Sequence, residues 1–162
     1  MIPKAKGSTQ TWIKSATTPR PVYETAADLK NEKKVADFVS KKLSCRLVKL
    51  PFKYQMDYGV LSIGVDDKEY ITGMIEIKCR KIPKDKYDTY MISAKKVLTM
   101  LQYMEKFNLN MKLVVRWTDV IGSYTFKDNT SYNIGYSGRF GRGDSQDVEP
   151  VVYIPIKNFD IL

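Results

Sequence analysis

Glu76 and Lys78 stand two residues apart in the apolar run Tyr70-Ile71-Thr72-Gly73-Met74-Ile75-Glu76-Ile77-Lys78-Cys79, a spacing that puts both side chains on one face of a strand. An acid and an amine aimed at one point can hold a metal ion and a water. Met56-Asp57-Tyr58 opens a second run, Tyr58-Gly59-Val60-Leu61-Ser62-Ile63-Gly64-Val65, and the polar turn Asp66-Asp67-Lys68 joins the two into a predicted β-hairpin. Asp57 on one strand and Glu76 on the next form a pair suited to Mg²⁺, a hard cation that takes carboxylate and backbone oxygens while keeping several waters. The plainer alternative is that Asp57 starts an exposed strand and Glu76 with Lys78 make a solvated face. Met74, Ile75 and Ile77 weigh against it, because a strand flanked so is buried on both sides, and buried charges are rare unless paired or metal-bound.

The chain has no histidine, which excludes Ser-His-Asp and Cys-His hydrolases and His-metal nucleases; chemistry must run on carboxylates, lysines, tyrosines and a hard metal. Cys45 and Cys79 lack CxxC spacing, so a structural zinc site is not expected and the thiols read as reduced. At 162 residues the sequence suits one domain, and a net charge of +9 makes a polyanion a plausible partner. No apolar stretch approaches the ~20 residues of a membrane span, and Met1-Ile2-Pro3-Lys4-Ala5-Lys6-Gly7 lacks a signal-peptide core. The expected location is cytoplasmic.

Elements must hold these side chains in place. Residues 1–22, rich in Pro, Gly, Ser, Thr and basic side chains, read as an extended basic arm, and 23–162 as a single domain. Thr25-Ala26-Ala27-Asp28 is a capping box that starts a helix at Ala26, running to about Leu43. Leu29, Glu32, Ala36, Val39 and Leu43 form its apolar stripe, with Glu32 in the middle. A helix-surface acid paired with Lys33 or Lys30 is the ordinary alternative for Glu32. A first strand is expected within Ser44–Pro51, then the hairpin. Asp88 or Thr89 is expected to cap a second helix reaching about Phe107, with the buried stripe Met91, Ala94, Lys95, Leu98, Leu101 and Gln102. Met111–Trp117 and Ser123–Phe126 alternate like strands. Residues 127–149 read as a glycine-rich loop, and Val151–Ile156 as a closing strand that Pro155 assigns to an edge.

The order of helix acid, Asp, Glu-x-Lys and following helix, over roughly Thr25 to Trp117, resembles the PD-(D/E)XK nuclease superfamily. The motif's proline is absent, since Met56 precedes the aspartate. The resemblance implies an α/β, restriction-endonuclease-like αβββαβ core with a mixed central sheet of about five strands flanked by helices. It implies a Mg-dependent deoxyribonuclease in which Mn²⁺ can substitute, Asp57, Glu76 and the Ile77 backbone carbonyl bind the metal, and Lys78 acts on the water and the transition state. Glu32 matches the helix acid placed beside the metal, sometimes through water. Lys95 and Gln102 match polar positions on the following helix that contact phosphate, although Lys95 can equally snorkel from the stripe edge. Small proteins of this kind are frequent in bacteriophages, which would place this one in the host cytoplasm.

Arg80, Lys81, Lys84 and Lys86 can form a rim that tracks DNA phosphates, or merely a solvated loop. Tyr132, Tyr136, Arg139, Phe140 and Arg142, interleaved with glycines, suit stacking on unpaired bases, or again a plain surface loop. Two alternatives stand beside the simple nuclease: a Holliday-junction resolvase acting as a homodimer, and a non-catalytic nucleic-acid-binding or phage structural protein.

Overall fold

A computed structural model describes residues 25–138 and 148–162. The proposed arm at 1–22 lies outside the described residues, as do Arg139, Phe140 and Arg142. Helix α1 (Ala26–Lys42) begins where the capping box places it: Thr25 Oγ1 accepts from the Asp28 N–H at 3.2 Å, and Asp28 Oδ2 accepts from the Thr25 N–H at 3.0 Å. Strands β1 (Arg46–Lys49), β2 (Tyr58–Ile63) and β3 (Glu69–Cys79) follow, then β4 (Thr89–Ser93), α2 (Ala94–Phe107), β5 (Asn110–Arg116), β6 (Ile121–Thr125), β7 (Asn133–Ser137), β8 (Glu149–Pro155) and β9 (Asp160–Ile161).

The central sheet is mixed and has six strands, in the order β1-β2-β3-β5-β6-β9, against the five or so expected. Only the β3–β5 pair is parallel, because the chain leaves β3 and returns through α2 to the same edge. Gly73 permits the join: a Cβ there would lie 2.7 Å from the Asn110 carbonyl at the start of β5. Omitting β4, the expected αβββαβ order is present, with the two helices packed on opposite faces of the sheet.

β3 is buried on both faces at its centre. Ile75 and Ile77 point to α1 and pack with Val35, Ala36, Val39 and Val114. Met74 points the other way, into a core built from Val97 and Met100 of α2, Met111, Leu113, Val115, Trp117 and Phe159. Alternation along the strand therefore sends Glu76 and Lys78 to the α2 side.

Three sequence expectations require correction here. The second helix starts at Ala94 rather than at Asp88 or Thr89; Thr89–Ser93 is a strand whose Tyr90 and Ile92 are buried while Thr89 and Met91 are exposed, a period of two. The segment 127–149 is not all loop, since β7 lies within it. A separate three-stranded sheet, β4-β8-β7, results, and β8 is its middle strand rather than an edge. Pro155 is tolerated because it pairs only with Thr89 at the strand's end, past Tyr153, where the pairing with β7 stops.

Candidate active site

β2 stops pairing with β3 at Tyr58↔Ile75, and the chain before it turns away through the 3₁₀ turn Phe52–Tyr54 and Gln55, a residue in the left-handed region (φ 58°). The Ile77 N–H loses its ladder partner there. Asp57 Oδ2 takes its place, accepting from Ile77 N–H at 2.8 Å. Met56, standing where the motif has proline, is buried in the α2-side core and anchors the residue that follows it. Its apolar side chain thus fixes Asp57 against β3.

Glu76 is 0% exposed. Oε2 accepts from Lys96 Nζ at 3.1 Å, and Oε1 lies 2.5 Å from Lys78 Nζ without a well-directed hydrogen bond. Burial pushes the Glu76 carboxyl above the usual glutamate range; the Asp57 charge adds to the rise, and Lys78 and Lys96 oppose it. For Lys78, burial disfavours the ammonium, but attraction by Glu76 and Asp57 outweighs it and holds the amine above the ordinary lysine range. Lys78 is therefore a firm cation at neutral pH.

Glu32 is 7% exposed, but it sits on the α1 side of the sheet and its partner is Lys49, whose Nζ also lies 3.7 Å from Asp57 Oδ1. Glu32 thus reaches Asp57 through a lysine and does not join the carboxylates directly. Neither bland partner takes it: Lys33 pairs with Asp37 at 3.1 Å. Lys49 is held above its usual range by the Glu32 hydrogen bond and the Asp57 charge, which overcome its burial.

A cavity of about 250 Å³ opens in front of Glu76 and Lys78, walled by Arg80 and Lys96 and by Tyr90, Ser93, Ser137 and Glu149 of the smaller sheet. The Arg80 guanidinium lies 5.2 Å above the Tyr90 ring. Lys81 and Lys86 are exposed; Lys84 is mostly covered, with its N–H on Asp119 at 2.9 Å. Lys95 and Gln102 are exposed and outside the cavity, which corrects the stripe assigned to them. The buried positions of α2 are Ala94, Val97 and Met100, so Lys96 is the helix residue that meets Glu76, and it also donates to the Gln55 carbonyl. Sequence reasoning missed it by starting the helix five residues early and phasing the stripe from Met91.

A family model described as "Phage putative PDDEXK endonuclease" matches residues 18–162. The chain belongs to this family of nucleases. Among solved structures, the PD-(D/E)XK chain is similar to the Holliday junction resolvase Hjc of Archaeoglobus fulgidus, with 12% identity and a TM-score of 0.47 over 80% of this chain and 85% of that one. No curated protein matches it. In this PD-(D/E)XK member Asp57 bonds the Ile77 N–H, between the ion-paired Glu76 and Lys78, at the edge where β2 and β3 part, and no helix among the described residues is long and apolar enough to cross a membrane.

Proposed function

We propose that this nuclease hydrolyses DNA phosphodiester bonds with a divalent metal held by Asp57 and Glu76. The observation that carries the proposal is Glu76 itself: a fully buried carboxylate, held by Lys78 at 2.5 Å and by Lys96 at 3.1 Å, that lines a cavity walled by cations. A buried carboxylate is rare unless it is paired or binds a metal, and this one lies beside an opening that an ion can enter.

The donor set fits a hard dication. It offers carboxylates with no histidine, and among the described residues no three Asp, Glu or Cys side chains converge. Mg²⁺ suits such a sparse site because it commonly completes its shell with water and substrate phosphate. The Ile77 carbonyl is a further donor in this proposal, since the N–H and C=O of one strand residue point to the same side and the N–H already meets Asp57. A divalent ion held there by Asp57, Glu76 and the Ile77 carbonyl would supply charge stabilisation at the phosphoryl oxygens and a more acidic water.

The side chains divide the remaining work. Lys78, kept protonated by Glu76 and Asp57, orients the attacking water and faces the charge that develops on the phosphate; it does not act as a base. Lys96 ties Glu76 Oε2 to the turn before Asp57, fixing the separation of the two carboxylates. Glu32 acts on the site through Lys49, holding that cation against Asp57. Lys81 and Lys86 follow the phosphate backbone on either side of the cut, in keeping with the net charge of +9.

The test is incubation of the protein with linear, circular, single-stranded and four-way-junction DNA, and with RNA, in Mg²⁺, in Mn²⁺ and in chelator. DNA cleavage that needs the divalent ion is expected. Cleavage undiminished by chelator, or no cleavage of any DNA, contradicts the proposal.

A further inference from the structure

Tyr90 belongs to β4, the strand inserted between β3 and α2, and nothing in the Asp/Glu-x-Lys motif accounts for it. It is 5% exposed, and its hydroxyl proton has no acceptor. The ring is fixed on three sides: Trp117 meets it edge-on at 6.1 Å, Phe159 lies at 5.8 Å, and the Arg80 guanidinium sits 5.2 Å above it. So rigid a phenol, buried with an unused donor, is costly to the fold, and phenylalanine would fill the same space without that cost.

The surroundings indicate what the donor is for. Tyr90 lines the same cavity as Glu76, Lys78, Arg80 and Lys96. The charges of Arg80, Lys78 and Glu76 all act on its hydroxyl, and burial holds the phenol above its ordinary range, so it remains an O–H donor at any working pH. The cavity's cations, Lys78, Arg80 and Lys96, face two carboxylates, Glu76 and Glu149, and Glu149 is occupied by the Ser93 hydroxyl at 2.7 Å. Such a lining favours an anion in front of Glu76. The hydroxyl is covered, and the Arg80 guanidinium over the ring belongs to a long side chain that an entering phosphate would draw to itself.

We infer that Tyr90 is a catalytic residue of this site: its hydroxyl donates a hydrogen bond to a non-bridging oxygen of the scissile phosphate, with Arg80 clamping the ring and sharing the same phosphate. No proton is transferred; the bond strengthens as negative charge gathers on that oxygen while water adds to phosphorus and the leaving oxygen departs. The inference rests on the nuclease reading of the site. It explains why a strand inserted into the αβββαβ core is packed against the Glu-x-Lys face, and why a tyrosine stands at a position whose packing needs only a ring.

The experiment compares single-turnover DNA cleavage and thermal melting for the wild type, Tyr90→Phe, Arg80→Gln and Glu76→Gln. Tyr90→Phe is expected to melt at or above the wild-type temperature and to cleave about 10²-fold more slowly, with substrate affinity changed by less than about threefold, the pattern of a donor used in the transition state. Arg80→Gln, at an exposed position, is expected to slow cleavage on its own and to make the further loss on adding Tyr90→Phe smaller than additive. Tyr90→Phe cleaving within threefold of wild type overturns the inference while leaving the nuclease intact. A melting temperature lowered by several degrees overturns it too, since the hydroxyl would then have a structural partner. If the wild type cleaves no DNA, the reading beneath the inference fails and takes it along; if Glu76→Gln alone is inactive, the two stand apart.

Discussion

Two acids are buried among the described residues, and they lie on opposite faces of the six-stranded sheet. Glu32, on the α1 face, is a helix side chain at the rim of a small aliphatic core, and one half-exposed lysine, Lys49, serves it. Glu76, on the α2 face, is a strand side chain at the back of a cavity, and a lysine pairs with each of its two oxygens. Both look alike in sequence, as acids among apolar neighbours. Burial of an acid is therefore not enough to mark a site. The distinguishing feature is burial beside an opening lined by cations, because only there can a ligand reach the desolvated charge and offset its cost.

This comparison can be broken most forcefully at Glu76 and Asp57. Glu76→Ala or Asp57→Ala is expected to fold and to lose about 10³-fold or more in cleavage rate, several kcal/mol of barrier, because a metal ligand is gone. A Lys78→Ala protein is expected to lose about 10²-fold in turnover and keep its Mg²⁺ affinity, since the amine acts on water and phosphate. Calorimetry showing the metal affinity gone would instead make Lys78 part of the ion's support.

The raised Glu76 pKa gives a pH signature. Glu76 must be ionised to work, so cleavage should fall off on the acid side at a pH above that of an ordinary glutamate. For stability the sign is opposite. The folded carboxyl binds its proton more tightly than the unfolded one, so ionising it as pH rises from the usual glutamate value through the raised one weakens the metal-free fold. Melting curves of the wild type over that window, beside Glu76→Gln, read the difference directly. Adding Mg²⁺ should raise the wild-type melting temperature by mass action and leave Glu76→Gln nearly unmoved.

Effects on the α1 side should be smaller. Glu32→Gln is expected to cost roughly 1 kcal/mol, because Lys49 is half exposed and water takes over part of the pairing. It should slow cleavage by less than about tenfold, acting through Lys49 on Asp57. The smallest change is at the rim: Lys81→Ala with Lys86→Ala should weaken binding to all DNA sequences alike and flatten the log–log salt slope by about 2.

Much of this arrangement was legible from residue types. Thr25 and Asp28 declared the start of α1, the apolar residues Met74, Ile75 and Ile77 around Glu76 declared a strand buried on both faces, and Asp66-Asp67-Lys68 declared the turn between β2 and β3. What escaped was decided by tertiary contacts. Thr89-Tyr90-Met91-Ile92-Ser93 carries a period of two, but a capping residue ahead of a long helical pattern outweighed it, and the strand is secured only by β8, about sixty residues on in sequence. β7 contains Gly135 within a turn-rich segment and exists through its pairing with the same strand. A stripe phased from Met91 runs through Lys95, whereas the helix that starts at Ala94 turns Lys96 to Glu76. The side of the sheet on which Glu32 lies was likewise beyond reach, because a stripe on a helix reveals that it packs and not what it packs on.

The most direct measurement places the two buried acids side by side in one assay: single-turnover cleavage of a DNA substrate in saturating Mg²⁺ by Glu76→Gln and by Glu32→Gln, each compared with the wild type. Glu76→Gln should lose about 10³-fold while Glu32→Gln stays within about tenfold, since only the first removes a charge from the cavity. Equal losses, or a Glu76→Gln protein that cleaves like the wild type, would contradict the account.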